Sequence, residues 1–455
     1  MNITRRHFTG LCATAIATAQ SRGGKPNILF ILADDLGYGD LGCYGQKKIK
    51  TPNLDRLAVD GIRFTQSYAG STVCAPSRCC LMTGKHTGHA SVRGNRKPEL
   101  GLAAHENTVA SLLRTAGYRT ALFGKWGLGG FDMNSHPNDK GFDEFFGYLN
   151  QQHAHLSYPE HLWENKSEFL LTGNWFEQRK QFSNDLFTKR ALDFIGKNKG
   201  QPFFLYLSYT VPHANNELGA FRKNGMEAPD QEPYKSEIWP DVEKNFAAAV
   251  TRMDKQIGDV LEALDARGLR ESTLIIFSSD NGPHKEGGHD PQYFLSSGAV
   301  RGTKRDLYEG GIRVPGIANW KGRIATGQVS DQPWAFWDFL PTATEVAGIA
   351  TPAGIDGISI LPTLTGGTQK QHDYYYWEFH EGGFQQALRQ GDWKLVRQNP
   401  RQTVQLFDLK NDPKELKDLA AGKPEVVKRL EQYFRSARVE HPSFPTKAAA
   451  KQGTP

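Results

Sequence analysis

Polar residues gather where long apolar runs of this 455-residue chain stop. The run from Asn27 to Ala33 ends at Asp34 and Asp35, and Thr273 to Ser279 ends at Asp280 and Asn281. Lys125 follows Arg119 to Gly124, and His213 follows Phe203 to Tyr209 after Pro212. In open α/β sheets, ligands collect outside the carboxyl ends of the strands, so these positions converge if the runs are neighbouring parallel strands. Three carboxylates and one amide oxygen make an all-oxygen cage, which suits Ca²⁺, and Mg²⁺ after it, far better than zinc. A single Asp after a strand is usually a turn or cap residue; two tandem pairs at separate strand ends are harder to explain that way. Histidine is the natural proton carrier near neutral pH, which makes His213 the candidate acid or base.

Between the first Asp pair and Lys125 lies Cys74-Ala75-Pro76-Ser77-Arg78, continuing Cys79-Cys80-Leu81-Met82-Thr83-Gly84. Pro76 suits a first helical turn and Gly84 its end, which puts Cys74 at a helix amino terminus. Backbone N–H groups there favour an anion, and Arg78 would add a bidentate clamp. Cys-x-Pro-Ser-Arg followed by Leu-x-Thr-Gly resembles the signature of the type I sulfatases, whose cysteine a maturation enzyme oxidises to formylglycine.

That resemblance extends over most of the chain. It implies an alkaline-phosphatase-like fold and sulfuric ester hydrolysis, with Asp34, Asp35, Asp280, Asn281 and the formylglycine at Cys74 as calcium ligands. Lys125, His213 and Lys304 match the family's sulfate-binding and proton-transfer residues. The segments Gly310 to Pro315, Gly391 to Val396 and Leu406 to Leu409 resemble its later landmarks. In the implied mechanism a hydrated aldehyde attacks sulfur, while Arg78, Lys125, Lys304 and the cation neutralise the sulfate oxygens. His213 protonates the leaving alkoxide, and the second hydroxyl of the hydrate then expels sulfate. One departure stands out: the family pattern has His two residues after the lysine, where this chain has Gly127. His86 and His289 are substitutes by chemistry alone.

Aromatic and polar residues cluster in Gln151 to Tyr158, His284 to Tyr293 and Trp377 to His380. A rim built from them, with His155, His284, His289, Glu378 and His380 as candidate contacts, would fit a sulfated sugar or polysaccharide fragment better than a buried steroid. Two alternatives stay open. One is a phosphate or phosphonate ester hydrolase of the same superfamily; the other is a non-catalytic sulfated-glycan-binding protein in which Cys74 remains a thiol.

The elements that must position these residues follow from pattern. Alternating apolar runs and amphipathic helices, of which Asn245 to Arg267 is the longest, predict an α/β domain with a large, mostly parallel sheet between helices over residues 26–364. Short alternating segments from Tyr374 to Leu409 and the helix Pro424 to Ala437 predict a small C-terminal subdomain over 365–445, with an antiparallel sheet. Residues 446–455 read as a disordered tail. Arg5 and Arg6, the apolar stretch Leu11 to Ala19 and an Ala-x-Ala end read as a twin-arginine-type export signal over 1–19, hence a periplasmic or secreted protein. A formal charge of +6 is too small for this length to imply nucleic-acid binding. The lack of an apolar run of transmembrane length excludes a spanning helix. Cys43, Cys74, Cys79 and Cys80 are too few to staple a domain of this size.

Overall fold

The computed structural model describes residues 24–96, 99–131, 133–197, 200–399 and 401–446. The predicted export signal, and the predicted tail beyond Thr446, lie outside the described residues. Among the described residues no helix is long and apolar enough to cross a membrane.

The large sheet holds β1 (Asn27–Ala33), β2 (Ile62–Tyr68), β3 (Arg119–Lys125), β4 (Glu144–Tyr148), β5 (His161–Glu164), β6 (Ser167–Leu170), β7 (Phe203–Ser208), β8 (Thr273–Ser279), β9 (Arg313–Asn319), β10 (Gln328–Ser330) and β11 (Trp334–Ala335). Its order is β10-β2-β9-β8-β1-β7-β3-β4-β5-β6, with β11 also on β2. The central run β8-β1-β7-β3-β4 is parallel. Antiparallel pairings appear only toward the flanks, where β9 joins β8 and β2, and where β5 joins β4 and β6. The parallel expectation therefore holds at the centre, and the whole is mixed.

Strand alternation explains the layers. Ile28, Phe30 and Leu32 of β1 face one core, shared with residues of the helices Cys74–Thr83, Val109–Thr115 and Phe339–Val346. Leu29, Ile31 and Ala33 face the other, with the helices Ser183–Lys197 and Asp241–Ala266. A strand buried on both faces reads as one continuous apolar run, which is what a parallel central strand requires. The longest helix begins at Asp241, ahead of its predicted start, because Asp241 and Glu243 suit the positive end of the helix dipole before the apolar stripe opens at Phe246.

After the helix Leu361–Leu364 come β12 (Tyr375–Phe379), β13 (Gln385–Gln390), β14 (Trp393–Arg397) and β15 (Gln405–Asp408), an antiparallel sheet in chain order. The helix Pro424–Ser436 lays Leu430 and Phe434 on Tyr376, Leu388, Leu395 and Leu406. Trp377, Ala387, Val396 and Phe407 join the core of the large domain, and the Trp377 indole donates to the Ala69 carbonyl at 2.9 Å. The small sheet is thus a layer between its own helix and the large domain.

Candidate active site

The carboxyl ends of β1, β3, β7 and β8 lie side by side in the sheet, and their following residues meet as the strand order predicts. Asp34 takes its backbone N–H bond to the Val211 carbonyl, and Asp280 to the Ala33 carbonyl, so both extend the ladder by one step. Asp35 then turns with φ 66°, a conformation that strains most residues and redirects the chain. Gly124 has φ 118°, and a Cβ there would sit 1.8 Å from the Ser208 carbonyl oxygen. Only glycine lets β3 reach Lys125 at this separation from β7.

The three carboxylates meet three cationic heads. Lys125 Nζ lies 2.7 Å from Asp34 Oδ2, Lys304 Nζ 2.8 Å from Asp35 Oδ2, and Arg78 Nη2 2.7 Å from Asp280 Oδ2. The Asn281 amide donates to Asp35 Oδ1 at 2.7 Å, and the Asp35 N–H donates to Asp280 Oδ1 at 3.1 Å. Cys74 Sγ is 3.5 Å from Asp34 Oδ1. Burial raises every one of these carboxyls, but Lys125 and Arg78 hold Asp34 well below its ordinary value, and Lys304 and His213 hold Asp35 down. Asp280 goes the other way: burial and the charge of Asp34 push it up to about 7. The carboxylates are crowded against one another, and Asn281 Oδ1 is buried with no hydrogen-bond partner among the described residues.

Cys74 opens its helix, and Gly84 at φ 71° closes it, as predicted. Burial, then the Asp34 charge, pushes the Cys74 thiol well above its ordinary value. An unmodified side chain here is a protonated thiol and a poor nucleophile.

His213 Nδ1 donates to the Ala214 carbonyl at 2.7 Å, which turns Nε2 toward Lys304 Nζ at 3.4 Å and Asp35 Oδ2 at 3.5 Å. Burial and the charge of Lys304 push this imidazole down to about 3. Cys74, His213 and Lys304 form part of the wall of a cavity of about 380 Å³. Further wall residues are Asn95, Glu99, Gln151, Gln152, His155 and Glu217, with Glu381 supplied by the turn between β12 and β13.

Several predicted positions are corrected. Arg78 is fully buried, and its donors go to Asp280, to Ser208 Oγ at 2.5 Å and to the Lys125 carbonyl at 2.9 Å. It holds Asp280 and two strand ends in place rather than clamping an anion from the cavity. The substrate rim also changes. His284 bonds the Pro212 carbonyl at 3.0 Å beneath the loop that bears His213. His289 is stacked on Phe246 at 3.9 Å and bonded to Glu243 at 2.7 Å. Glu378 and His380 pair with each other at 3.0 Å, and Arg93 and Arg438 complete their cluster. None of these four residues lines the cavity; of the predicted rim contacts only His155 does. Neither His86, stacked on His89 against Asp356, nor His289 stands where the missing histidine would act. The position after Lys125-Trp126 is filled differently: a Cβ at Gly127, φ 70°, would meet Gln151 Nε2 at 2.4 Å.

The sulfatase family model matches residues 26–349, and the model of the N-sulphoglucosamine sulphohydrolase C-terminal region matches residues 302–440. N-acetylgalactosamine-6-sulfatase of Mus musculus is 32% identical over 404 residues, covering 81% of this chain and 71% of its own. Steryl-sulfatase of Rattus norvegicus is 30% identical over 439 residues, covering 78% of this chain and 73% of its own. The solved structure of Ps i-CgsB in complex with k-i-k-neocarrahexaose superposes with a TM-score of 0.80 at 28% identity, over 93% of this chain and 95% of that one. The chain belongs to the sulfatase family and is a sulfuric ester hydrolase with an alkaline-phosphatase-like fold.

Proposed function

We propose that this enzyme removes sulfate from a sulfated carbohydrate, using formylglycine made from Cys74 and a Ca²⁺ ion held by Asp34, Asp35, Asp280, Asn281 and the modified side chain. The observation that carries the reading is the unsaturated cage: among the described residues Asn281 Oδ1 is buried without a partner, beside carboxylates of which one is pushed up to about 7 by burial and by its neighbour's charge. All donors are oxygen, which fits a hard divalent cation. Three carboxylates already balance Lys125, Lys304 and Arg78, so the charge of such a cation is left to attract an anionic ester.

When present, the cation supplies Lewis acidity and the aldehyde supplies a nucleophile that a buried thiol cannot. Lys304, on the cavity wall, and Lys125, beneath it, neutralise sulfate oxygens as charge builds in the transition state. Asp35 keeps Lys304 protonated despite its burial, and its ammonium faces the His213 Nε2 lone pair. His213 acts as the acid in its imidazolium form, protonated at both ring nitrogens, and gives the Nε2 proton to the leaving alkoxide while Nδ1 stays bonded to the Ala214 carbonyl. The negative charge of an ester in the cavity favours that imidazolium and offsets the charge of Lys304, which together with burial depresses it.

The wall supports a sugar over a steroid. Asn95, Glu99, Gln151, Gln152 and Glu217 offer hydrogen-bonding groups for hydroxyls, whereas a buried sterol needs apolar lining. Ps i-CgsB, one of the structural relatives, is solved in complex with k-i-k-neocarrahexaose. Export through residues 1–19 to the periplasm or outside the cell completes the reading, with a formylglycine-generating enzyme as the partner in maturation.

The test is the mass of the tryptic peptide Phe64–Arg78 from enzyme made alongside a maturation enzyme, paired with turnover of sulfated sugars. An aldehyde or its hydrate and turnover of a sulfated sugar are expected. A persistent thiol, or activity confined to steroid sulfates, would overturn the reading.

A further inference from the structure

His213 is the middle layer of a stack. On its inner side the His284 ring lies 6.2 Å away at 26°, anchored to the Pro212 carbonyl. On its cavity side the His155 ring lies 4.9 Å away, nearly parallel at 14°. His155 is itself held: its Nδ1 faces both Glu217 oxygens, at 3.1 and 3.2 Å. Glu217 belongs to the short helix Asn216–Arg222, capped by Asn215, whose side chain accepts from the Leu218 N–H at 2.9 Å. His155 comes from the separate turn His153–His155. Two independent segments therefore converge to fix one imidazole, and both His155 and Glu217 stand on the cavity wall.

The stack lies in a site that lacks the histidine expected at Gly127, where the Gln151 amide takes the space instead. His213 is left as the one histidine whose ring nitrogen faces Lys304 among the described residues. The bond from Nδ1 to the Ala214 carbonyl sets its tautomer, and Lys304 Nζ stands at a long 3.4 Å from Nε2, which leaves the ring some freedom to turn about Cβ–Cγ. A flat partner on the exposed face removes that freedom. We infer that His155, oriented by Glu217, is a positioning residue that holds the His213 ring so that Nε2 points at the leaving oxygen. This rests on the reading of His213 as the acid for the leaving group.

The experiment compares His155→Ala, His155→Phe and His213→Ala in the formylglycine-bearing enzyme on 4-nitrophenyl sulfate, whose leaving group needs little protonation, and on a sulfated monosaccharide, whose alkoxide needs it. His155→Ala is expected to lower kcat on the sugar sulfate by about 10²-fold, the usual effect of a small misplacement of a reacting group, with KM little changed and the aryl sulfate much less affected. His155→Phe keeps a flat ring and recovers most of the rate. A crystal structure of His155→Ala is expected to show the His213 ring rotated off its present plane. An unmoved ring, equal loss on both substrates, or no rescue by Phe would overturn the inference while leaving the sulfatase reading intact. If His213→Ala fails to discriminate between the substrates, the acid assignment falls and this inference with it.

Discussion

Asp280 and Glu378 are both buried carboxylates bonded to arginine, yet the fold holds them at opposite ends of the carboxyl range. Burial alone would raise Glu378, but His380, Arg438 and Arg93 outweigh it and hold it at about 2. Each of its oxygens takes two donors: Arg93 and His380 on Oε1, Arg438 and the Tyr376 hydroxyl on Oε2. Asp280 has Arg78, but burial and the charges of Asp34 and Asp35 outweigh it and push it up to about 7. One cluster is saturated with cations and reads as a structural tie between the large domain, through Arg93, and the small sheet. The other pairs three carboxylates with three cations, yet burial and the crowding of those carboxylates push Asp280 up to about 7, and among the described residues it leaves Asn281 Oδ1 without a partner, which is the form of a place built for an ion. Two clusters of buried charge are thus told apart by whether an acceptor remains unpaired, as Asn281 Oδ1 does at the site and neither Glu378 oxygen does, a better guide than burial or ion-pair distance.

Removing a carboxylate should therefore have opposite consequences at the two places. Asp280→Asn is expected to cut kcat/KM by about 10³-fold at saturating Ca²⁺, the several kcal/mol expected from a lost metal site. In chelator its melting temperature should not fall, because a crowded charge has been relieved. Wild-type activity in Asp280→Asn, or a loss of stability without metal, would break the comparison. Glu378→Ala should do the reverse, leaving Arg93 and Arg438 buried without their counterion. Denaturant unfolding is expected to show a loss of about 3–5 kcal/mol, with kcat/KM per folded molecule retained. A variant as stable as wild type would show that the tie carries no weight.

What could be read in advance follows the same division between pattern and direction. Strands buried on both faces, such as Asn27–Ala33 and Thr273–Ser279, announce themselves as continuous apolar runs, and the polar residues after them mark the site. The flanking strands do not. Arg313–Asn319 contains Pro315 and Gly316, and Ser167–Leu170 is mostly exposed, so neither shows a clean period. In the site, residue type was legible but side-chain direction was not. Arg78 is a proper anion ligand by chemistry and spends its donors on Asp280 and two strand ends. His289 lies in a polar, aromatic stretch and turns inward onto Phe246. Glu217, Asn95 and Glu381 lie in short polar stretches on separate segments, and nothing local distinguishes a cavity wall from an ordinary solvated turn.

The smallest expected effect is a slope with pH, and its sign sharpens the contrast. Glu378 has its folded pKa held at about 2, below the 4.5 of an unconstrained glutamate. A depressed carboxyl contributes stability that is fully present above the unfolded value and is lost as pH falls toward the folded one. Between about pH 7 and pH 4 the unfolded chain begins to take up a proton that the folded cluster refuses, and the loss amounts to roughly 1 kcal/mol. Wild type should therefore lose that much relative to Glu378→Gln, which has no proton to take up at this position, when unfolding is measured with Ca²⁺ saturating at both pH values. Holding the metal site filled removes Asp280 from the comparison, because a cation among the carboxylates suppresses their protonation. If the difference between wild type and Glu378→Gln stays constant across that range, the Glu378 carboxyl titrates normally, and the saturated cluster loses the property that distinguishes it from the site.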